Sequence, residues 1–306
     1  MKTPIIEVKN LNVSFGNFKA VDDISFSVKQ GEIFGFLGAN GAGKTTTIRT
    51  ICGILSPTSG HIYVYGEDIS KNTSLIRNNI GYMSQKFTLY KDLSVKENIE
   101  FAGTLYNMDN KKIKEETQKL FNLINFNESE NTIVSNLSIG VKQMVALCAA
   151  MLHNPDLIFL DEPTAGVAPQ IRAKFWQLIK ILAQKGKTIF ITTHYMDEAE
   201  YADRIVLMQT GKIIAIGTSK ELKKQFFKTN FYKITPKDGN NIALLKEKIE
   251  LLNFANNISL YGNSIKFMLN NYKKWQQFLN EEANSITYQI VSPSLEDVFL
   301  KAVSGK

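Results

Sequence analysis

The sequence predicts an α/β fold. A parallel-sheet domain carries an inserted helical subdomain, and a small α+β domain follows it. Three observations lead there. The runs IFGFL (33–37) and LIFL (157–160) are apolar at every position, which suits central strands covered by helices on both faces. Strand and helix patterns alternate along most of the first 227 residues, but from about Val95 to Leu152 only helical patterns occur. Beyond Phe227 the composition shifts and asparagine becomes frequent.

Candidate strands of the first domain are Ile5–Val8, Ile24–Val28, Ile33–Leu37, His61–Tyr65, Ile80–Met83, Leu157–Leu160, Thr188–Thr192, Arg204–Met208 and Lys212–Ile216. Candidate helices are Lys44–Ile54, Val95–Tyr106, Lys111–Ile124, Val141–His153, Pro169–Lys185 and Met196–Ala202. The expected domains are 1–227, with the helical subdomain at about 87–156, and 228–306. In the second domain, KDGN (237–240) marks a turn. Strand 231–235, helix 242–252, strands 257–260 and 264–269, helix 272–282 and strand 286–291 give the order βαββαβ, a ferredoxin-like split. In PSLEDVFL (293–300), Ser294 and Asp297 form a capping box with a short acid, on a helix expected to pack on the first domain.

Composition excludes several classes. No run approaches the ~18 apolar residues of a membrane-spanning helix, and MKTPIIEVKN lacks the apolar core of a signal peptide. Cys52 and Cys148 form no CxxC and sit among apolar residues, as buried thiols in a reducing compartment do. The net charge is +7, but the lysines are scattered, with no aromatic-interleaved basic patch and no zinc spacing, so no nucleic-acid partner is expected.

The chemistry begins at residues 38–45, GANGAGKT, which fit G-x-x-x-x-G-K-[ST] between an apolar strand and an amphipathic helix. In that context Gly38, Ala39, Asn40, Gly41, Ala42 and Gly43 can wrap backbone N–H groups round a phosphate chain. Lys44 can reach the terminal phosphates, Thr45 can hold Mg2+, and Thr46 continues the cradle. LIFLDEP (157–163) is a buried strand ending in two acids: Asp161 for Mg2+ and Glu162 to polarise an attacking water. Gln85 and His194 each follow a strand; an amide there can meet Mg2+, and an imidazole can touch a terminal phosphate. His61 and His153 carry no such context.

In this order the motifs resemble the ATP-binding subunit of an ABC transporter, over roughly residues 5–225. The resemblance implies a P-loop NTPase fold of the ABC type and hydrolysis of Mg2+-bound ATP. It makes GANGAGKT the Walker A loop, Gln85 the Q-loop, LIFLDE the Walker B strand and His194 the switch histidine. Phe15 corresponds to the aromatic that stacks on adenine, with Phe18 as the alternative. LSIGVKQ (137–143) corresponds to the signature, whose Ser138 and Gly140 would bind ATP across a dimer. Ile139 and Val141 depart from its usual glycine and glutamine, Ala168 stands for a usual aspartate, and Met144 for a usual arginine.

The stretches 81–101, FLDEPTAGV, TTHYMDEAEYADR and PSLEDVFL resemble the drug, lipid or polymer exporter branch. That branch implies separate transmembrane permease subunits, a homodimer or heterodimer of ATPase subunits, and a cytoplasmic position on the inner face of the cell membrane. The stretch 86–99 would contact the permease. The alternatives are a partly degenerate subunit of a heterodimeric transporter and an ABC ATPase not involved in transport.

Overall fold

The computed structural model describes residues 4–85, 89–237 and 241–304, apart from the side chain of Leu75. Lys86, Phe87 and Thr88, where the helical subdomain and the permease contact were expected to begin, lie outside the described residues, as do Asp238, Gly239 and Asn240 of the expected turn. The chain divides into two compact units, Met1–Ser219 and Lys220–Lys306.

In the first unit the order is β1 (Ile6–Phe15), β2 (Phe18–Val28), β3 (Ile33–Leu37), α1 (Lys44–Ile51), β4 (Ser59–Val64), β5 (Glu67–Asp68), α2 (Thr73–Asn79) and β6 (Ile80–Met83). Then come α3 (Val95–Leu105), α4 (Asn110–Ile124), α5 (Ile139–Met151), β7 (Leu157–Asp161), α6 (Pro169–Gln184), β8 (Thr188–Thr193), α7 (Met196–Ala199), β9 (Arg204–Gln209) and β10 (Lys212–Gly217). The helix α8 (Ser219–Phe226) begins at the division between the units.

Two sheets result. One is antiparallel, ordered β2-β1-β4-β5; the other is ordered β10-β9-β3-β8-β7-β6. In the second sheet the pairings β9–β3, β3–β8, β8–β7 and β7–β6 are parallel, and only β10 pairs antiparallel. Every residue of β3, β7 and β8 is buried, the both-faces burial that makes parallel strands read as unbroken apolar runs. Phe26, Phe34, Phe36 and Phe190 lie between the sheets, with neighbouring centroids 5.1–6.2 Å apart.

The sheet order sets the site. Strands β3, β8, β7 and β6 are consecutive neighbours and parallel. Their carboxyl ends therefore lie side by side, carrying residue 38, residue 194, residues 161–162 and residue 85. A parallel sheet gathers a ligand site at that edge.

Between β6 and β7 the described chain runs through α3, α4 and α5 with no strand. Ser94 and Glu97 close a capping box on α3, Asp109 caps α4 and Ser138 caps α5. Cys148 on α5 and Cys52 after α1 are buried free thiols. His153 is held just past α5, its ring stacked on Tyr106 at 3.5 Å and its Nε2 3.1 Å from the Ile80 carbonyl oxygen. Burial lowers its pKa to about 4. The unfolded chain therefore takes up a proton first, and stability falls as pH drops from the usual histidine range toward 4. His153→Phe is expected to remove about 1–2 kcal/mol of the stability lost between pH 7 and pH 5, read from urea midpoints at the two pH values.

The second unit continues with β11 (Phe231–Pro236), α9 (Ile242–Leu252), β12 (Ala255–Tyr261), β13 (Ser264–Leu269), α10 (Tyr272–Glu282), β14 (Ile286–Val291) and α11 (Leu295–Ser304). Its sheet is ordered β12-β13-β11-β14 and antiparallel throughout. This is the split βαββαβ arrangement. Three asparagines here serve helix ends. Asn241 and Asn271 cap α9 and α10, and Asn253 ends α9 at φ 50°. Trp275, Phe254, Phe267 and Phe278 form the core between helices and sheet.

The capping box of α11 is present. Ser294 N–H and Oγ donate to Asp297 Oδ2 at 2.6 and 2.7 Å, and Asp297 N–H donates to Ser294 Oγ at 3.2 Å. Asp297 also takes Lys266 of β13. The helix is thus tied to β13 of its own unit.

Several elements were not legible from periodicity, α8 among them. Strands β1 and β2 run far past the expected 5–8 and 24–28, to the tip at Phe15 and Phe18. Polar residues facing out interrupt their apolar alternation, and irregular register shifts its phase. Helix α2 was unassigned, because TSLIRNN holds too few apolar positions to show a period.

Candidate functional site

Strand β3 ends at Leu37, and the loop from Gly38 turns into α1 at Gly43. Gly43 has φ 106°, and a Cβ there would lie 2.4 Å from the Ala20 carbonyl oxygen, so the turn needs glycine. Ala42 is buried and its carbonyl accepts from Gly211 N–H at 2.9 Å, while Ala39, Asn40 and Gly41 are exposed. The loop is thereby fixed from beneath and open above. Lys44 is 4% exposed, and its Nζ donates to the carbonyls of Gly38 at 2.7 Å and Ala39 at 3.1 Å.

The two acids differ in environment. Asp161 is buried at the end of β7, where its Oδ1 accepts from Thr192 Oγ1 at 2.7 Å and Thr45 Oγ1 at 3.1 Å. Its Oδ2 is buried with no hydrogen-bond partner. Burial raises the Asp161 pKa, against the two threonine hydroxyls, which lower it. A buried oxygen with no donor, beside the Thr45 hydroxyl, fits a hard cation that takes oxygen ligands. Thr45 and Asp161 are the residues that would hold Mg2+.

Glu162 leaves the strand at φ 48°, in the left-handed region. Its N–H donates to Thr192 Oγ1 at 2.9 Å. Its buried carboxylate gathers three groups: Lys44 Nζ 3.1 Å from Oε1, and Gln85 Nε2 and His194 Nδ1 each 3.1 Å from Oε2. The structure thus brings Lys44, Glu162, Gln85 and His194 into direct contact from four separate elements.

Above them lies an open cleft of about 440 Å3, lined by Phe15, Phe18, Asn40, Gly41, Thr45 and Thr46 among others. Both phenylalanines are more than half exposed, on the two-residue tip between β1 and β2. The alternative between Phe15 and Phe18 thus stays open: both line the cleft.

Ser138 and Gly140 are not in that lining; they open α5. Ser138 Oγ accepts from Val141 N–H at 3.4 Å. A Cβ on Gly140 would meet Ile171 of α6 at 2.7 Å, so packing of α5 on α6 by itself selects glycine there. Ile139 is 47% exposed and Ala168 begins α6 with no side-chain cap. Sequence reasoning missed Thr192, which contacts both acids, and a neighbouring cluster in which Thr164 and Arg172 contact Glu198. They form no spaced motif, and only the folded chain brings them together.

A cradle for a phosphate chain, with a lysine and two acids at the edge of a parallel sheet, defines a P-loop nucleotide-binding protein. Residues 21–165 match the ABC transporter family. The chain is 33% identical to the linearmycin resistance ATP-binding protein LnrL of Bacillus subtilis over 304 residues, 97% of each chain. It is 44% identical over 221 residues to the probable multidrug ABC transporter ATP-binding protein YbhF of Escherichia coli. That match covers 72% of this chain but 38% of the relative. Among solved structures, an ATP-binding cassette in a dimeric post-hydrolysis state with ADP and phosphate is similar at TM-score 0.64 and 26% identity, over 70% of this chain and 98% of that one. An ATP-binding subunit of an ABC transporter matches at TM-score 0.66 and 28% identity, over 72% and 93%. The chain belongs to the ABC transporter family, among its ATP-binding ATPase cassettes.

Proposed function

We propose that this chain hydrolyses ATP to drive an ABC exporter of drugs, lipids or polymers. Its place is the cytoplasmic face of the cell membrane, beside separate membrane-spanning permease subunits. The observation that carries the reading is the Glu162 carboxylate, held at once by Lys44, Gln85 and His194. The names of the relatives, linearmycin resistance and multidrug transport, support the exporter assignment. No helix among the described residues is long and apolar enough to cross a membrane.

The ammonium of Lys44 contacts Glu162 and the carbonyls of Gly38 and Ala39. The terminal phosphates of ATP compete for that ammonium and release Glu162 Oε1, which then accepts a proton from the attacking water. His194 and Gln85 stay on Oε2 and hold the carboxylate's plane. Thr45 and Asp161, with Gln85, would hold Mg2+, which would neutralise charge on the phosphate oxygens. Phe15 or Phe18 covers the base. Ser138 and Gly140, outside the cleft, serve the ATP of a partner subunit.

Ser138→Ala tests that last role. Turnover is measured on the full chain purified with its co-purifying membrane partners, with thermal melting to check the lost cap, worth about 1 kcal/mol. A fall of roughly tenfold or more, as expected for one charge-assisted hydrogen bond, supports a signature working in a dimer of this chain. Unchanged turnover would mean the exposed Ile139 and uncapped Ala168 mark an idle signature. It would favour the second reading, pairing with a different ATPase subunit.

A further inference from the structure

Glu198, at the end of the short helix α7, has no part in the chemistry above, yet it is 2% exposed. Its carboxylate is held from three segments. Thr164 Oγ1 and Thr193 Oγ1 both donate to Oε2 at 2.9 Å, and Arg172 Nη1 stands 3.5 Å from Oε1. Thr164 follows Glu162 by two residues, Thr193 directly precedes His194, and Arg172 lies in the first turn of α6, behind the loop 165–168.

Arg172 also faces Asp197 at 3.7 Å and lies 4.3 Å from the ring of Tyr195, against which the His194 ring rests at 4.1 Å. Thr193 Oγ1 in turn accepts from Tyr195 N–H at 3.0 Å. A buried carboxylate is tolerated only while its partners stay in place. The turn after Glu162, the end of β8 before His194 and the start of α6 therefore cannot shift separately without unpairing Glu198.

We propose that Glu198 is a positioning residue: it sets the His194 imidazole against the Glu162 carboxylate and ties that contact to the loop that opens α6. Displacement of residues 165–168, carried by Arg172, reaches His194 through this carboxylate. The proposal rests on His194 acting in hydrolysis at Glu162, as read above.

The test is a double-mutant cycle on the full chain, with kcat, KM for ATP and melting temperature measured for Glu198→Ala, His194→Ala and the pair. If Glu198 acts through His194, Glu198→Ala lowers kcat about tenfold or more with KM within about twofold, and the double variant is no slower than His194→Ala alone. Glu198→Gln, which keeps an oxygen for both threonines, restores part of the loss. Should Glu198→Ala fail to fold, the same cycle is run with Thr193→Val, which deletes a single hydroxyl. Unchanged kcat, or losses that multiply in the double variant, would overturn the proposal. Wild-type turnover in His194→Ala would overturn the role of His194, and this inference with it. A loss in His194→Ala with none in Glu198→Ala would remove the inference alone.

Discussion

Glu162→Gln is expected to lower ATP turnover roughly 100- to 10,000-fold, the range for loss of a general base, while ATP still binds. The amide keeps the shape of the carboxylate and can accept from one of its neighbours, but it cannot take a proton from water. It also frees Lys44, whose ammonium stands 3.1 Å from Glu162 Oε1. ATP affinity should therefore hold or rise, because phosphate no longer competes with a buried carboxylate for that ammonium. Turnover by phosphate release and affinity by equilibrium dialysis with labelled ATP separate the two effects. Turnover within threefold of wild type would show that Glu162 is not the base. A large loss of affinity together with turnover would make it a binding residue instead.

Trp275→Ala carries the largest expected effect on stability. Trp275 is 2% exposed, and its ring lies 5.3–5.8 Å from those of Tyr232, Phe254, Phe267, Phe278 and Tyr288. Its removal leaves a cavity that helices α9 and α10, each capped by asparagine at a fixed point, cannot close without moving their ends. The second unit should lose about 3–5 kcal/mol, the usual cost of truncating a buried tryptophan. Hydrogen exchange of the amides in β11 and β13 during a urea titration measures it. The other tryptophan, Trp176, lies in the first unit and gives an independent fluorescence signal. A loss below 1 kcal/mol would mean the aromatic cluster is not the centre of that core.

Legibility followed the physics of each element. β3, β7 and β8 were readable because strands covered on both faces need apolar side chains at every position. The phosphate loop was readable because a left-handed turn pressed on the Ala20 carbonyl excludes every residue but glycine at 43. α3 and α5 start just after Ser94 and Ser138, whose side chains cap them. By contrast, β1 and β2 showed only their apolar ends. The tip they raise over the cleft could be read as a candidate aromatic but not as a hairpin.

The candidate site divides along the same line. Its residue types and local spacing were determined by the sequence, since GANGAGKT, LIFLDE and the histidine after β8 each need their own strand end and nothing further away. What only the tertiary structure decided is how they meet. Parallel pairing in the order β3-β8-β7-β6 brings Lys44, His194, Glu162 and Gln85 onto one carboxylate. It also leaves Asp161 Oδ2 without a donor. The same holds for Glu198. Nothing in TTHYMDEAE shows that its first glutamate is buried under hydroxyls from Thr164 and Thr193 and beside the guanidinium of Arg172. A hydrogen bond joins residues by position in space, and chain neighbours fix that position only within a turn or two; beyond that, the sheet order does.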